Sequence, residues 1–307
     1  MKKISVAILG CTGYAGEELE RILARRDDVQ IVYKASRYTG NKEDIVGLKR
    51  SQVAFTATPH GVSMRIIPEI LEVVKRGVVD LSGAYRLKNK YEYPCWYGWE
   101  HLHPELLKEA VYGLPEKNRN LIKRARLVAS AGCYETAIIL GLKPMTDWGL
   151  ISDSDFIEIK AASGYTGAGK GAEIPKVVTP YKNKNGREHQ HIPVIEQELG
   201  ISKRLLFYPS VAPYPRGITV NIKIGLKRNV LKDFYSVCYK REQFVRIEPR
   251  VSRRDVIETN FCDIAFKTKG LNAEIKVGID NLGKGGAGQA IQNFNIMCGL
   301  PENIGLK

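Results

Sequence analysis

One thiol and two imidazoles carry the sequence's clearest chemistry. Cys133 lies in "SAGCYET" (residues 130–136), where an apolar strand pattern stops and a helical one, "YETAIILGL", begins. The amides and partial positive charge of a helix N-terminus favour thiolate over thiol, and the neighbouring Gly132 lets a substrate or another stretch of backbone approach. His189 and His191, in "NGREHQHIPVIEQEL", are separated by one residue. In an extended segment both rings face the same way, so either can exchange a proton with a group held by Cys133. A metal pair is the rival reading, but no third ligand cluster and no HExxH spacing accompany the histidines, so no metal is expected.

Between them, "AASGYTGAGKGAEIPK" (161–176) is rich in glycine and hydroxyls, with Lys170 inside it. Such a loop can wrap an anion through backbone amides, Ser163 and Thr166. Arg216, in "SVAPYPRGI", precedes a strand and can clamp a carboxylate or phosphate. Read without the rest of the chain, both stretches are also compatible with plain turns.

These residues need elements to position them. "KISVAIL" (3–9), the turn "GCTGYAG" and the helical run "EELERILARR" read as strand, glycine turn and helix. Gly10, Gly13 and Gly16 let the backbone turn sharply and approach a pyrophosphate at the helix N-terminus. The second strand (29–35) ends in Ser36 and Arg37 with no acid. A hydroxyl and a guanidinium suit a 2′-phosphate, so NADP(H) is expected over NAD(H). "TATPHGVS" (56–63) offers further backbone donors, with His60 as a loop residue and not a catalyst. More strands are expected at 52–58, 77–82, 110–114 and 126–131, with helical patterns such as "MRIIPEILEVVKRG" between them, which predicts a parallel sheet covered on both faces. After about residue 150 the strands lengthen: "FIEIKAAS", "RLLFYPSVA", "ITVNIKIGL", "FCDIAFKT" and "AEIKVGID", the last two flanking the hairpin signal "KGLN". One helix is expected over "VLKDFYSVCYKREQ", and a terminal one over "GGAGQAIQNFNIMCGL" that returns to the first domain.

The chain of 307 residues exceeds one usual core. Its 44% hydrophobic and 26% charged residues are those of an ordinary globular protein, and no apolar run approaches the ~20 residues of a membrane span. Six cysteines without CxxC spacing argue against a disulfide framework, and a cytoplasmic location is expected. Cys11, Cys238, Cys262 and Cys298 fall in or beside apolar patterns, as small buried hydrophobes do. Lys and Arg number 47 against 33 Asp and Glu, a net charge of +14. The charge is spread along the chain without a basic block or an aromatic-rich RNA signature, so it points to acidic small molecules or an acidic protein partner, not to nucleic acid.

Taken in order, "GCTGYAGEEL", "TPHGVSM", "DLSGAYRL", "YGWEHLHPELL", "VYGLPEKNR", "AGCYETA", "SGYTGAGK", "HQHIPVIEQEL", "PYPRGI" and "DNLGKGGAGQAIQNFNIMCGLPENIGL" resemble the N-acetyl-γ-glutamyl-phosphate reductase family from end to end. The family includes relatives that act on aminoadipyl or glutamyl phosphate held on an amino-group carrier protein. The resemblance implies an α/β chain: a Rossmann dinucleotide-binding domain, 1–132 plus 284–307, and an α+β glyceraldehyde-3-phosphate-dehydrogenase-like catalytic and oligomerisation domain, 133–283. It also implies NADP(H), a homodimer or homotetramer, and reduction of an acyl phosphate to an aldehyde through a thioester. The catalytic positions it implies are Cys133, His189 and His191. Cofactor-binding positions are Gly10, Thr12, Gly13, Tyr14, Ala15, Gly16, Ser36, Arg37, Pro59, Ser163, Gly164 and Asn281, and substrate-binding positions are Ser163, Lys170 and Arg216. An NADP-binding sensor without turnover is the non-enzymatic alternative. The sequence departs from the family pattern at Glu135, where many members have proline, and at Val194, which replaces the usual glutamate. "SGAYRL" also varies a common "SADFRL", and the stretch from Arg37 to Gln52 is shorter than usual, so that a strand or loop is expected to be missing there.

Overall fold

Short runs of Val, Ile, Ala and Phe that are buried on both faces form the centre of the first sheet, because only a parallel sheet with helices on each side removes both faces of such strands from water. Residues 3–181 and 184–307 are described by the computed structural model. They divide into two units, Met1–Gly132 with Gly286–Lys307, and Cys133–Gly285.

The first unit runs β1 (Ile4–Leu9), α1 (Tyr14–Leu23), β2 (Val29–Ala35), α2 (Lys42–Lys49), β3 (Val53–Thr56), α3 (His60–Val73), β4 (Gly77–Asp80), α4 (Glu92–Tyr97), α5 (Pro104–Glu109), β5 (Val111–Gly113), α6 (Pro115–Ile122) and β6 (Leu127–Ser130). The strands form one parallel sheet in the order β2-β1-β3-β4-β6-β5. Its order reverses between β1 and β3, so the turns after these two strands open a crevice at the carboxyl edge, the usual place for a ligand in such sheets. The stretch after Arg37 holds no strand. It forms α2, started by a capping box in which Asn41 and Asp44 satisfy each other's backbone N–H groups. The C-terminal helix Gly288–Met297 belongs to this unit. Its Ala290, Ile291, Phe294 and Met297 recur at helical spacing and are wholly buried, with the Phe294 ring 5.5 Å from that of Phe55 on β3. Burial of one such side chain contributes about 1.5–3 kcal/mol.

The second unit contains α7 (Cys133–Asp147), β7 (Ile157–Gly164), β8 (Thr179–Pro180), α8 (His191–Leu199), β9 (Leu205–Ala212), β10 (Ile218–Gly225), α9 (Phe234–Cys238), β11 (Val245–Ile247), α10 (Arg253–Val256), β12 (Cys262–Lys269) and β13 (Asn272–Ile279). Its mixed sheet has the order β11-β12-β13-β10-β7-β9-β8. β12 and β13 pair to the residues flanking Gly270 and Leu271, with Gly270 at φ +58°, as the "KGLN" signal predicts. Strict alternation sends Ile159, Phe207, Val220, Ile222, Ile275 and Val277 into the core beneath α7, while Lys160, Tyr208, Lys223 and Lys276 stand exposed on the other face.

The helix expected over 230–243 is helical only over Phe234–Cys238. Its tyrosines serve α7. Pro144 inside α7 has no N–H to give the carbonyl of Leu140, and the buried Tyr239 hydroxyl donates to that carbonyl at 2.5 Å, while Tyr235 donates to Gly141 O at 2.5 Å.

Candidate active site

β6 ends at Ser130, and after Ala131 and Gly132 the chain enters α7 with Cys133 as its first residue. The nucleophile candidate therefore stands at the N-terminus of a 15-residue helix, half-buried. Its backbone neighbour is Gly285, where a β-carbon would come within 2.8 Å of Cys133 Cβ and 3.1 Å of its Cα. Only glycine permits that approach.

The histidines reach the start of α7 by a route that differs from the extended segment expected. Gln190 has helical backbone angles and caps α8, whose first residue is His191. The turn still brings the rings together, with centroids 4.7 Å apart and planes at 67°. The His191 backbone N–H donates to His189 Nδ1 at 3.2 Å, which fixes the proton of a neutral His189 on Nε2. His189 packs edge-on against Phe207 at 5.1 Å, Tyr181 at 5.9 Å and Tyr134 at 6.0 Å. Burial pushes its pKa down to about 4, so it is uncharged at neutral pH. His191 has a different neighbour: its Nε2 lies 3.6 Å from Oε1 of Glu135, a fully buried carboxylate in the first turn of α7.

Two tyrosines tie the thiol to the imidazoles. Tyr134 donates its hydroxyl to Ser210 O at 2.9 Å and also lies 6.0 Å from the His191 ring. Tyr181, which contacts His189, has its pKa raised first by burial and then by a negative charge on Cys133. One cluster thus holds Cys133, Tyr134, Glu135, Tyr181, His189 and His191.

Several other predicted positions are engaged within the fold. Thr166 Oγ1 donates to Pro215 O at 2.6 Å and accepts from Asn281 Nδ2 at 2.8 Å, and Asn281 Oδ1 accepts the Gly217 N–H at 2.8 Å. Ser163, almost fully buried, donates to Gly164 O at 3.1 Å, and Gly164 N–H donates to Gly217 O at 2.9 Å. These bonds stitch the loop after β7 to the loop before β10. Arg216 is gripped by Asp280: Nε stands 2.9 Å from Oδ2 and Nη2 2.8 Å from the same oxygen, and Asp280 also accepts N–H bonds from Glu258 and Leu282. Lys170 is exposed at the mouth of the glycine-rich loop.

In the first unit, Gly10 leaves β1 at φ +79°, and Gly10 and Cys11 both donate to Ala35 O at the end of β2, at 2.8 and 3.1 Å. Those bonds set Ser36 and Arg37, both exposed, beside the turn. A β-carbon on Gly16 would fall 2.2 Å from Gly10 O, so the turn can fold back on α1 only with glycine there. Gly13 is the N-cap and supplies no side-chain cap, so backbone N–H groups near Tyr14 and Ala15 define that surface, as a phosphate site requires. Thr12 lies within the turn.

The nearby acid, Asp44, is buried and already accepts bonds from the Tyr33 hydroxyl and from Thr39 N and Oγ1. It is not available to a ribose 2′-hydroxyl, and the exposed groups fit a 2′-phosphate. Pro59 caps α3, accepting N–H bonds from Val62 and Ser63. His60 opens that helix, accepts the Gly83 N–H on Nδ1 at 2.8 Å, and has its pKa pushed down to about 4 by burial and by the Arg86 charge. It is a structural residue.

Glu135 and Tyr181 escaped the sequence reading as partners of the histidines. An acid two residues after the cysteine was visible, but only the packing of α8 on α7 shows which ring it meets. Among the described residues, no group of three His, Cys, Asp or Glu is arranged to hold a metal, and no helix is long and apolar enough to cross a membrane.

Residues 5–125 match the family described as semialdehyde dehydrogenase, NAD binding domain, and residues 133–281 match semialdehyde dehydrogenase, dimerisation domain. The fold is that of solved aspartate semialdehyde dehydrogenases. The Vibrio cholerae aspartate semialdehyde dehydrogenase II complexed with ASA superposes with a TM-score of 0.74 at 16% identity, over 97% of this chain and 99% of that one. The Candida albicans enzyme, solved with NADP, gives 0.67 at 14% identity over 99% and 100%. Similarity in sequence is greater to N-acetyl-gamma-glutamyl-phosphate reductases: 39% identity to that of Lachnoclostridium phytofermentans over 345 residues, and 40% to that of Pelobacter propionicus over 341, each covering 99% of this chain and 98% of the relative. The chain belongs to the N-acetyl-gamma-glutamyl-phosphate reductase family.

Proposed function

We propose that the protein is an NADP(H)-dependent reductase that converts N-acetyl-γ-glutamyl phosphate to N-acetyl-glutamate semialdehyde, a step of arginine biosynthesis. The observation that carries the reading is Cys133 at the head of α7 in one cluster with His189 and His191, in a chain 39% identical to reductases of that name.

Cys133 thiolate attacks the acyl carbon, the carbon–sulfur bond forms, and the carbon–oxygen bond to phosphate breaks. The thiol proton passes to His191 before the attack and stays there, and the departing phosphate takes its proton from solvent. NADPH, when bound, would supply the hydride for reduction of the thioester. His191 protonates the oxygen as negative charge develops on it and takes the proton back as the thiolate departs with release of the aldehyde. His189, neutral and bonded to the His191 backbone, orients its neighbour. Gly10, Thr12, Gly13 and Gly16 would hold the pyrophosphate, and Ser36 and Arg37 the 2′-phosphate, which favours NADPH over NADH. Lys170 supplies a cation for the acyl phosphate. A second copy of the chain would cover the outer face of the mixed sheet, where Lys160, Tyr208 and Lys276 line a groove of about 660 Å³.

The net charge of +14 keeps a second substrate in play, an aminoadipyl or glutamyl phosphate presented on an acidic carrier protein. NADP⁺ reduction in phosphate buffer, with N-acetyl-glutamate semialdehyde beside the carrier-linked aldehyde, tests reaction and substrate together. Turnover of the acetylated aldehyde is expected. Turnover of the carrier-linked one alone replaces the substrate, and turnover of neither removes the enzymatic reading.

A further inference from the structure

Glu135 is a fully buried carboxylate two residues from the nucleophile candidate, and its Oε1 lies 3.6 Å from His191 Nε2. A carboxylate with no exposure is costly to keep ionised unless opposite charge or hydrogen bonds compensate it. Two features of this fold supply compensation. The first turn of α7 directs its partial positive charge at the side chain, and the adjacent imidazole can carry a full one.

We propose that Glu135 is the positioning residue of His191: its negative charge holds the ring protonated and aims it toward the group on Cys133. At 3.6 Å the contact is too long for a hydrogen bond and lies within ion-pair range once the ring is protonated, so the influence is chiefly electrostatic, and it is strong because the pair is shielded from water. Among the described residues, the titratable groups around His191 include Glu135 and Tyr134 from α7 and His189 from the segment before α8, with Tyr181 beyond His189. Glu135 is an acid in contact with the ring. His189 cannot substitute, because its Nδ1 already accepts the His191 N–H and its own ring is neutral at pH 7. The division of labour follows: a buried neutral histidine orients, and a carboxylate-paired one exchanges protons.

The proposal rests on the reductase reading, and its test separates the two. In the full-length protein, the imidazole of His191 is titrated by NMR in wild type, Glu135→Gln and Glu135→Asp, and the pH profile of NADPH-dependent acyl-phosphate reduction is recorded for each. A His191 pKa above the ordinary ~6.5 is expected in wild type, falling by about one unit or more in Glu135→Gln and returning toward wild type in Glu135→Asp. The alkaline limb of kcat should move down by the same amount, with KM for NADPH unchanged within about twofold. A wild-type His191 pKa at or below ~6.5 overturns the proposal, even if the glutamine variant does not fold. An unmoved titration and an unmoved limb in Glu135→Gln overturn it as well. A wild type that shows the raised pKa but no turnover rejects the reductase reading and retains the ion pair.

Discussion

Replacing Arg216 by methionine separates two roles that the sequence alone leaves merged, substrate clamp and internal strut. Asp280 has no exposure and Arg216 very little, so the substitution leaves a carboxylate buried without its cation. Breaking a buried pair in this way typically costs about 3–5 kcal/mol. Asp280 keeps its N–H bonds from Glu258 at 2.6 Å and Leu282 at 2.9 Å, which places the expected loss near the lower end, about 3 kcal/mol. For a domain of this size 1 kcal/mol corresponds to roughly 2–4 °C, so the unfolding transition should fall by roughly 6–12 °C. Calorimetry gives the transition, and steady-state kinetics at a temperature where both proteins are folded give KM. A Asp280→Asn variant should lose comparable stability, and the double variant should lose less than the sum. A transition within about 2 °C of wild type, together with a tenfold or greater rise in KM for the acyl phosphate, would refute the strut and restore the clamp.

Gly16→Ala places a β-carbon 2.2 Å from Gly10 O, and the displaced turn should cost about 1–3 kcal/mol, seen as a lower Tm and a rise of about 5- to 150-fold in the Kd for NADPH. Arg37→Ala should reduce the preference for NADPH over NADH by about tenfold or more without moving Tm, and equal loss with both coenzymes would contradict the assignment. Because His189 is held near pKa 4 in the fold and near 6.5 when unfolded, the unfolded chain binds the extra proton between those values. Its contribution to stability is therefore complete above pH ~6.5 and declines as pH falls toward ~4, and His189→Asn should make Tm less sensitive to pH across that window. A Tm that falls as steeply with acid in the variant would show that other groups control the acid limb.

Local pattern carried the parallel sheet well. β1, β3, β4 and β6 are short, largely apolar runs bounded by turns, and a run such as "KISVAIL" needs no partner to be recognised. The start of α7 at Cys133 was readable for the same reason, since strand period gives way to helix period on either side of "SAGC". Tertiary demands decided the rest. The entry to α8 bends because Gln190 caps a helix, a turn that two histidines and a glutamine do not announce. Tyr239, at the end of the short α9, gives its hydroxyl to the Leu140 carbonyl left without a donor by Pro144, a partner far away in the chain. Asp44 is the buried partner of Asn41 in the capping box of α2, and that burial is what removes it from the coenzyme's ribose. Thr166 and Asn281, expected among the ligand-binding polar groups, also bond each other and neighbouring loops, which spacing in the sequence does not announce.

The covalent step is tested most directly by the intact mass of the protein after mixing with acyl phosphate in the absence of NADPH. A wild-type adduct equal to the acyl group, mapped to the peptide carrying Cys133, released as aldehyde on adding NADPH and missing from Cys133→Ala, is the predicted result. Undiminished reductase turnover by Cys133→Ala, or an adduct located on another residue, would contradict it.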